Sequence, residues 1–197
     1  ELTPMQQGFR IACRNRLGVL YGQNGCGKQD GEGKPHIVNN WLGFNVPDMP
    51  SLIHFALDPF SRRMRLALSE YGEAVELIEE VPWDPSPDLV QLNPAGTLPV
   101  FIDTGAVSIC GVEALGEYLE ETRGGSVELL AGKAAERAEV RRLVGWFDTK
   151  FYAEVSEPLV TEKVVRRFMA SERGGGGIDM ARVRAAVTRL RDHLDYI

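Results

Sequence analysis

The sequence predicts two kinds of structure in succession: an α/β domain of element order β-α-β-α-β-β-α, followed by an all-α helical bundle domain. Short apolar runs rich in β-branched and aromatic residues mark the strands, and residues 52–57 form the first of them. A Leu-Pro-Val run at 98–100 opens a later strand. Beyond Gly132 the apolar residues recur at spacings of three and four, which is typical of helices.

A buried strand at 52–57 leads into the first predicted helix, residues 59–71. Asp58 can cap this helix, because a short carboxylate accepts a hydrogen bond from the free N–H groups of the first turn. Pro59 suits the first helical position, where no N–H is needed. Gly72 is the expected end of the helix.

The rest of the α/β domain follows the same alternation. Residues 75–81 alternate between two sets of side chains, which predicts a second strand that ends at Pro82. Residues 85–87 mark a loop or the start of a short helix. The remaining predicted elements are a strand at 98–102, a tight turn at Thr104-Gly105, a strand at 106–109 and a helix at 112–121.

The helical part follows a linker at Gly124-Gly125. We expect Pro158 to break its first helix. A basic amphipathic helix is predicted over 159–170, and Asp179 is placed to cap a last helix after a flexible joint. The first helix carries a predicted core stripe made of Val140, Leu143, Val144, Phe147 and Phe151.

Domain boundaries follow from these patterns. Residues 1–48 lack sustained periodicity and hold a glycine-rich patch, so we interpret them as a leader that is disordered or not native. The α/β domain is assigned to 49–126 and the helical domain to 132–197. The helical pattern runs to the last residue without a capping signal, so we expect this domain to be C-terminally truncated and incomplete.

Composition and charge exclude several classes of protein. A net charge of -6 argues against general nucleic-acid binding, which needs a basic surface. No window of 18 apolar residues and no signal peptide is present, so we expect no membrane partner. The three cysteines, Cys13, Cys26 and Cys110, are sparse and lack metal spacing. These features predict a cytoplasmic protein without a metal site.

The segment Asn93-Pro94-Ala95-Gly96-Thr97-Leu98-Pro99-Val100 is the most specific motif. Together with the element order before it, this run is similar to the thioredoxin-like fold. In that fold the proline is cis, and the backbone beside it stays free to pair with a peptide-like ligand. The resemblance therefore implies that Leu98 and Pro99 are ligand-site positions.

Three segments together resemble the glutathione transferase superfamily. They are the Asp58-Pro59 helix start with Arg65-Leu66-Ala67-Leu68, the Asn-Pro-x-Gly run, and Glu117-Tyr118-Leu119-Glu120-Glu121. The resemblance covers about residues 50–197. It implies a thioredoxin-like N-terminal domain, a helical C-terminal domain and a homodimer.

Further segments are similar to one branch of that superfamily, the bacterial FtsZ-binding, transferase-like division proteins. The segments are His54–Pro59, Glu136–Leu143, Trp146–Phe151 and Glu154-Val155. This resemblance implies a non-enzymatic dimer that binds the polymer of FtsZ, the tubulin-like division protein.

Asp58 stands where a transferase of this superfamily would carry Cys, Ser or Tyr. A hydroxyl donor stabilises the glutathione thiolate, whereas an ionised carboxylate donates nothing and repels a thiolate. We interpret Asp58 as a helix cap at a degenerate catalytic position. Ser61 and Cys110 are weak candidates for a reactive group, since one lies a turn into the helix and the other at a strand end.

Gly111 and Val112 are ligand-site positions by resemblance, but both depart from the superfamily pattern. Transferases there use an acidic residue and a Ser to bind the γ-glutamyl group, and this chain has neither side chain. Each lost charge-assisted hydrogen bond costs about 1.5–3 kcal/mol of binding. We therefore predict no cofactor, with glutathione reserved for the alternative function below.

Trp83 lies between two prolines in a predicted loop, which makes it a candidate partner-binding residue. The alternative is a tryptophan folded back over the core. The sequence thus predicts a non-catalytic adaptor that binds FtsZ. The alternatives are a glutathione S-transferase or glutathione-dependent reductase acting on small electrophiles, with Ser61 active, and a degenerate scaffold for another partner.

Overall fold

The computed structural model describes residues 49–105, 107–125, 127–170 and 174–196. The predicted leader, 1–48, lies outside this range. In the α/β part the elements are β1 Ser51–His54, α1 Pro59–Glu70, β2 Glu76–Glu79, α2 Pro87–Leu92, β3 Val100–Ile102, β4 Ser108–Cys110 and α3 Val112–Arg123. This is the predicted order β-α-β-α-β-β-α, and the thioredoxin-like fold is confirmed.

The four strands form one sheet in the order β2-β1-β3-β4. β1 runs parallel to β2 and antiparallel to β3, and β3 pairs antiparallel with β4. The register places Val100 beside both Ile53 and Cys110. As a result, the end of β1, the start of β3 and the end of β4 lie at one edge of the sheet.

Alternating side chains of the strands divide the core into two layers. On one face the buried cluster consists of residues from the sheet, α1 and α3: Leu52, Met64, Leu68, Phe101, Leu115 and Leu119. On the other face the sheet packs on α2 through Ile53, Ile78, Leu89 and Val100. Because both faces of the sheet are buried, neighbouring residues of β1 such as Leu52 and Ile53 are both apolar.

The predicted strands were too long at their ends. β1 stops at His54 because the N–H of Asp58 donates to the carbonyl of Phe55 at 3.1 Å, which closes a turn into α1. The apolar residues 55–57 therefore belong to that turn and not to the sheet. The other predicted strands are likewise shorter, at Glu76–Glu79, Val100–Ile102 and Ser108–Cys110.

The predicted helix break at Pro158 is wrong. Helical structure runs through α4 Ala134–Trp146, a π-helical segment Phe147–Ser156, α5 Glu157–Val160, a second π-helical segment Thr161–Val165 and α6 Arg166–Phe168. A π turn is wider than an α turn. It therefore accommodates the proline ring and its missing N–H without ending the helix. The predicted helix at 159–170 is the last part of this long helix.

The last helix, α7 Met180–Tyr196, is capped as predicted. The Asp179 carboxylate accepts hydrogen bonds from the N–H groups of Ala181 at 2.8 Å and Arg182 at 3.2 Å. α7 packs along the first π-helical segment and α5, and it buries Val183, Ala186 and His193 there.

The predicted core stripe, which runs from α4 into the π-helical segment, is only partly covered. No residue of α4 is fully buried, and Leu143 is 36% and Phe147 is 39% exposed. The reason is that α7 packs further along the chain, against the π-helical segment, where Val155 is buried. Val140, Val144 and Phe151 are half-buried, so within the described residues the exposed part of the stripe is Leu143 and Phe147.

Candidate functional site

The start of α1 is built around Asp58. Its backbone is extended, with φ −78° and ψ 125°, and its carboxylate accepts the N–H of Ser61 at 2.6 Å. Pro59 fills the first helical position. Burial raises the pKa of Asp58, while hydrogen bonds from Ser61 and Phe60 act in the opposite direction. The carboxylate is thus engaged within its own helix.

Ser61 is fully buried, and its hydroxyl oxygen accepts the N–H of Phe55 at 3.3 Å. This bond ties the turn after β1 to the first turn of α1. A hydroxyl enclosed in this way does not face a ligand. The geometry therefore argues against Ser61 as the active hydroxyl of a transferase, and it gives the residue a structural role.

The Leu98–Pro99 peptide bond is cis, as predicted. The loop before it is held by Asn93, whose Nδ2 donates to the carbonyl of Thr97 at 2.9 Å and to its Oγ1 at 3.0 Å. Pro99 is buried and Leu98 is half-buried. The sheet ladder begins only at Val100, so the backbone of Leu98 lies outside it.

The start of α3 also lies at this edge of the sheet, because Gly111 follows Cys110, the partner of Val100. Gly111 has φ 88°, a conformation that favours glycine, and no side chain caps the helix. The thiol of Cys110 is half-buried and donates to the carbonyl of Leu92 at 3.7 Å. Burial raises its pKa, which is the reverse of what a nucleophile needs.

The structure thus brings the predicted positions Asp58, Leu98, Pro99, Gly111 and Val112 to one edge of the sheet. Ser61 is bonded to Asp58 there, but its own side chain is fully buried. In the superfamily pattern this edge would present a hydroxyl or thiol group. Here it presents a capping carboxylate and an uncapped helix start.

A cation that the sequence reading missed links this edge to the helical part. Arg63 donates from Nη2 to the carbonyl of Val112 at 3.1 Å, and its Nη1 lies 2.6 Å from Oδ2 of Asp148. Asp148 has a side chain only 11% exposed. Burial raises the pKa of Asp148, and Arg63 lowers it. The available signal was an acidic residue, Asp148, among the aromatic residues Trp146, Phe147 and Phe151.

Beside this ion pair, Phe60 of α1 packs on Tyr152 of the π-helical segment with ring centroids 4.5 Å apart. Burial raises the pKa of Tyr152, and the nearby Asp58 raises it further. Acidic, basic and aromatic side chains therefore meet where α1 packs on the long helix.

Trp83 is half-buried between two rings. It meets Phe55 edge-on, with centroids 5.4 Å apart and planes at 87°, and it stacks on Phe168 at 6.2 Å and 12°. Its loop is anchored at Glu80, which accepts the hydroxyl of Ser86 at 2.8 Å. The loop therefore bridges the sheet and the end of the long helix, and part of the indole remains accessible.

In the part of the chain that the structure describes, no group of three or more His, Cys, Asp or Glu side chains could hold a metal ion. Among the same residues, none of the helices combines the length and the apolar character needed to cross a membrane.

Comparisons with known proteins agree with this architecture. Residues 52–127 match the family model "Glutathione S-transferase, N-terminal domain". "FtsZ-localized protein A" of Caulobacter vibrioides (strain NA1000 / CB15N) is 40% identical over 150 residues, which cover 75% of this chain and 64% of that protein. The chain thus spans slightly less than two thirds of the length of this relative.

Solved structures give the same picture. A crystal structure of a glutathione S-transferase from Sinorhizobium meliloti 1021 is 44% identical with a TM-score of 0.71, over 75% of this chain and 65% of the other. The structure of FzlA from C. crescentus is 39% identical with a TM-score of 0.69, over 76% and 65%. Residues 52–127 therefore belong to the glutathione S-transferase N-terminal domain family, and the chain resembles both the Sinorhizobium meliloti transferase and FzlA.

Proposed function

We propose that this protein is a non-catalytic, transferase-like adaptor that binds the polymer of FtsZ in the cytoplasm of a dividing bacterium. The likeness to FtsZ-localized protein A, at 40% identity, supports the choice of partner. The chain covers only part of that relative, so the partner is inferred from the shared segments. These include the α1 start and the Trp146–Val155 region.

The observation that carries the non-catalytic part of the proposal is the geometry at the start of α1. The Asp58 carboxylate accepts the N–H of Ser61, and the Ser61 hydroxyl is buried against the N–H of Phe55. Ser61 is fully buried, so its hydroxyl is out of reach of a bound thiolate, and an ionised Asp58 carboxylate has no proton to donate. Transferase chemistry needs such a donor or a cysteine, so the edge of the sheet is better suited to binding than to catalysis.

For the contact with FtsZ we propose the loop that carries Trp83. Tryptophan is enriched among residues that dominate protein interfaces, and this one is only half-buried. The rings of Phe55 and Phe168 hold the indole in place, which lowers the conformational entropy lost on binding.

A co-sedimentation assay with assembled FtsZ filaments tests this proposal. We expect the full chain to pellet with the filaments and Trp83→Ala to pellet at least about tenfold less, as for an interface hot spot. Leu66→Ala is the control, because it truncates another exposed apolar side chain, 54% exposed, outside the loop that carries Trp83. Equal loss in both variants would show that the Trp83 loop is not the specific contact, and no pelleting of the parent chain would contradict the partner.

A glutathione-dependent transferase is the second candidate. The Sinorhizobium meliloti structure at 44% identity is described as a glutathione S-transferase, which favours this function. The uncapped start of α3 and the backbone of Leu98 would be the points of attachment. Calorimetric titration with glutathione separates the two candidates. Clear heat of binding without FtsZ pelleting would support the transferase. FtsZ pelleting without heat of glutathione binding would support the adaptor.

A further inference from the structure

Four side chains form a closed ring where the end of α7 meets the long helix. The indole Nε1 of Trp146 lies 3.1 Å from Nδ1 of His193, and Nε2 of His193 lies 3.1 Å from Oε2 of Glu154. Glu154 also pairs with Lys150, whose ammonium group sits 5.8 Å from the centroid of the Trp146 ring. His193 is only 3% exposed, so its ring atoms depend on these partners.

Hydrogen-bond chemistry assigns the protonation state of His193. An indole N–H can only donate, so Nδ1 of His193 must offer a lone pair to Trp146. The proton of a neutral imidazole then resides on Nε2 and is donated to Glu154. Both ring nitrogens are satisfied in this one tautomer, and the docked form of the helix end is the neutral form.

We propose that His193 is a proton-sensitive latch that docks the last turn of α7 when neutral and releases it when protonated. A protonated Nδ1 would point a second donor at the N–H of Trp146. Two donors facing each other in a buried site leave both unsatisfied. Release of the imidazole restores its contact with water, and Trp146 loses its partner at the same time.

The charged groups around His193 do not remove this conflict. From the π-helical segment, Glu154 favours an imidazolium, but Lys150 already pairs with that carboxylate. From α7 itself, Arg189 and Asp192 pair with each other at the exposed surface. From α4, Arg142 pairs with Glu139. No second acceptor for Nδ1 is present in the described part of this pocket.

Aromatic contacts couple the protonation of His193 to the last turn of α7. Tyr196 stacks on Trp146 with centroids 4.9 Å apart and planes at 16°, and Phe151 meets His193 edge-on at 5.2 Å. These rings attach the final turn of α7 to the long helix. Loss of the Trp146–His193 bond therefore loosens the Tyr196 stack as well.

The test uses the full chain labelled with ¹⁵N, and it follows the indole resonance of Trp146 from about pH 8 to about pH 5, where imidazoles titrate. The resonance is assigned with Trp146→Phe. We expect it to move with a single transition, together with at least about tenfold faster amide exchange in the last turn of α7 after correction for the intrinsic pH effect. His193→Gln should show neither change, because an amide presents one acceptor and one donor that do not titrate.

A second variant gives the direction of the effect. Lys150→Gln removes the partner of Glu154, so the carboxylate should favour the imidazolium more strongly and move the transition to higher pH. An indole resonance that stays constant over this range would overturn the proposal. The same pH response in His193→Gln would overturn it too, because the change would then come from another group.

Discussion

At the scale of single residues, Asp58 shows how local structure can engage a side chain as a helix cap at a position where transferases carry a catalytic group. Its carboxylate accepts the N–H of Ser61 at 2.6 Å, so the residue that opens α1 acts as a helix cap. Burial raises the pKa of its carboxyl, and the capping hydrogen bonds offset this cost only in part.

Replacing Asp58 with Ala should lower the free energy of unfolding by about 0.5–2 kcal/mol, the usual cost of losing an N-cap. Asp58→Ser should restore most of that loss, because a hydroxyl can accept the same N–H. Urea denaturation followed by circular dichroism measures both. Equal stability of the Ala and parent proteins would mean that the cap contributes nothing.

Asp103 offers a second residue-scale prediction, on pH. Arg123 donates to its carboxylate at 2.7 Å and Tyr118 does so at 2.6 Å, and the Arg123 hydrogen bond is the largest cause that lowers the pKa of Asp103 from 3.8 to about 2. A lowered pKa means that the ionised form stabilises the fold. This contribution is complete above the unfolded value of 3.8 and is lost as the pH falls towards 2.

We therefore expect Asp103→Asn to lower stability at neutral pH by on the order of 2 kcal/mol. The difference between variant and parent should shrink as the pH falls from about 5 to about 2. Urea unfolding at a series of pH values measures this difference. A gap that stays constant through the acid range would show that ionisation of Asp103 is not the cause.

At the scale of elements, α1 buries one face in the core beside the sheet and leaves part of its surface exposed to solvent. Leu68 is 1% exposed within the cluster around Phe101, whereas Leu66 on the same helix is 54% exposed. Leu68→Ala should therefore lower the free energy of unfolding by about 2–5 kcal/mol. Leu66→Ala is the matched control and should change it by no more than about 0.5 kcal/mol. Similar losses in both would contradict the packing described.

The link between the α/β part and the long helix makes a separate prediction. Arg63 contacts Val112 and Asp148, so Arg63→Ala and Asp148→Ala should not be additive. A double-mutant cycle should give a coupling energy of about 0.5–3 kcal/mol, measured by urea denaturation. Arg62, the exposed neighbour of Arg63, provides the control, and Arg62→Ala with Asp148→Ala should be additive.

The sequence predicts most reliably those features that depend only on neighbouring residues. The α1 cap at Asp58 and the α7 cap at Asp179 are local features that the sequence predicts, and both are confirmed. The cis bond before Pro99, which the thioredoxin-like resemblance implies, is confirmed as well. The failures have non-local causes. Pro158 stayed within a helix because a π-helical segment preceded it, and Arg63 reached Asp148 across 85 positions of sequence numbering. The burial of Ser61 depends on the turn after β1, which periodicity does not reveal.

At the scale of the whole molecule, the homodimer that the superfamily resemblance implies is a prediction that Leu143 and Phe147 allow us to test. These two side chains are 36% and 39% exposed, one turn apart. If a second copy covers them, Leu143→Glu with Phe147→Glu should weaken association at least tenfold, about 1.4 kcal/mol. Analytical ultracentrifugation measures the change.

The control for the dimer is Val90→Glu, which alters an equally exposed apolar residue on α2. It should leave the sedimentation behaviour unchanged. If the parent chain sediments as a monomer at all accessible concentrations, a second copy does not cover α4.

The π-helical segment Phe147–Ser156 makes the long helix intolerant of changes in length. Deleting one residue there would rewind the segment towards an α-helix and turn everything beyond it by about 100°. Glu162, which pairs with Arg166 and Arg182, would then face away from α7. Insertions and deletions among natural variants should therefore avoid this stretch and collect in loops such as that around Thr104.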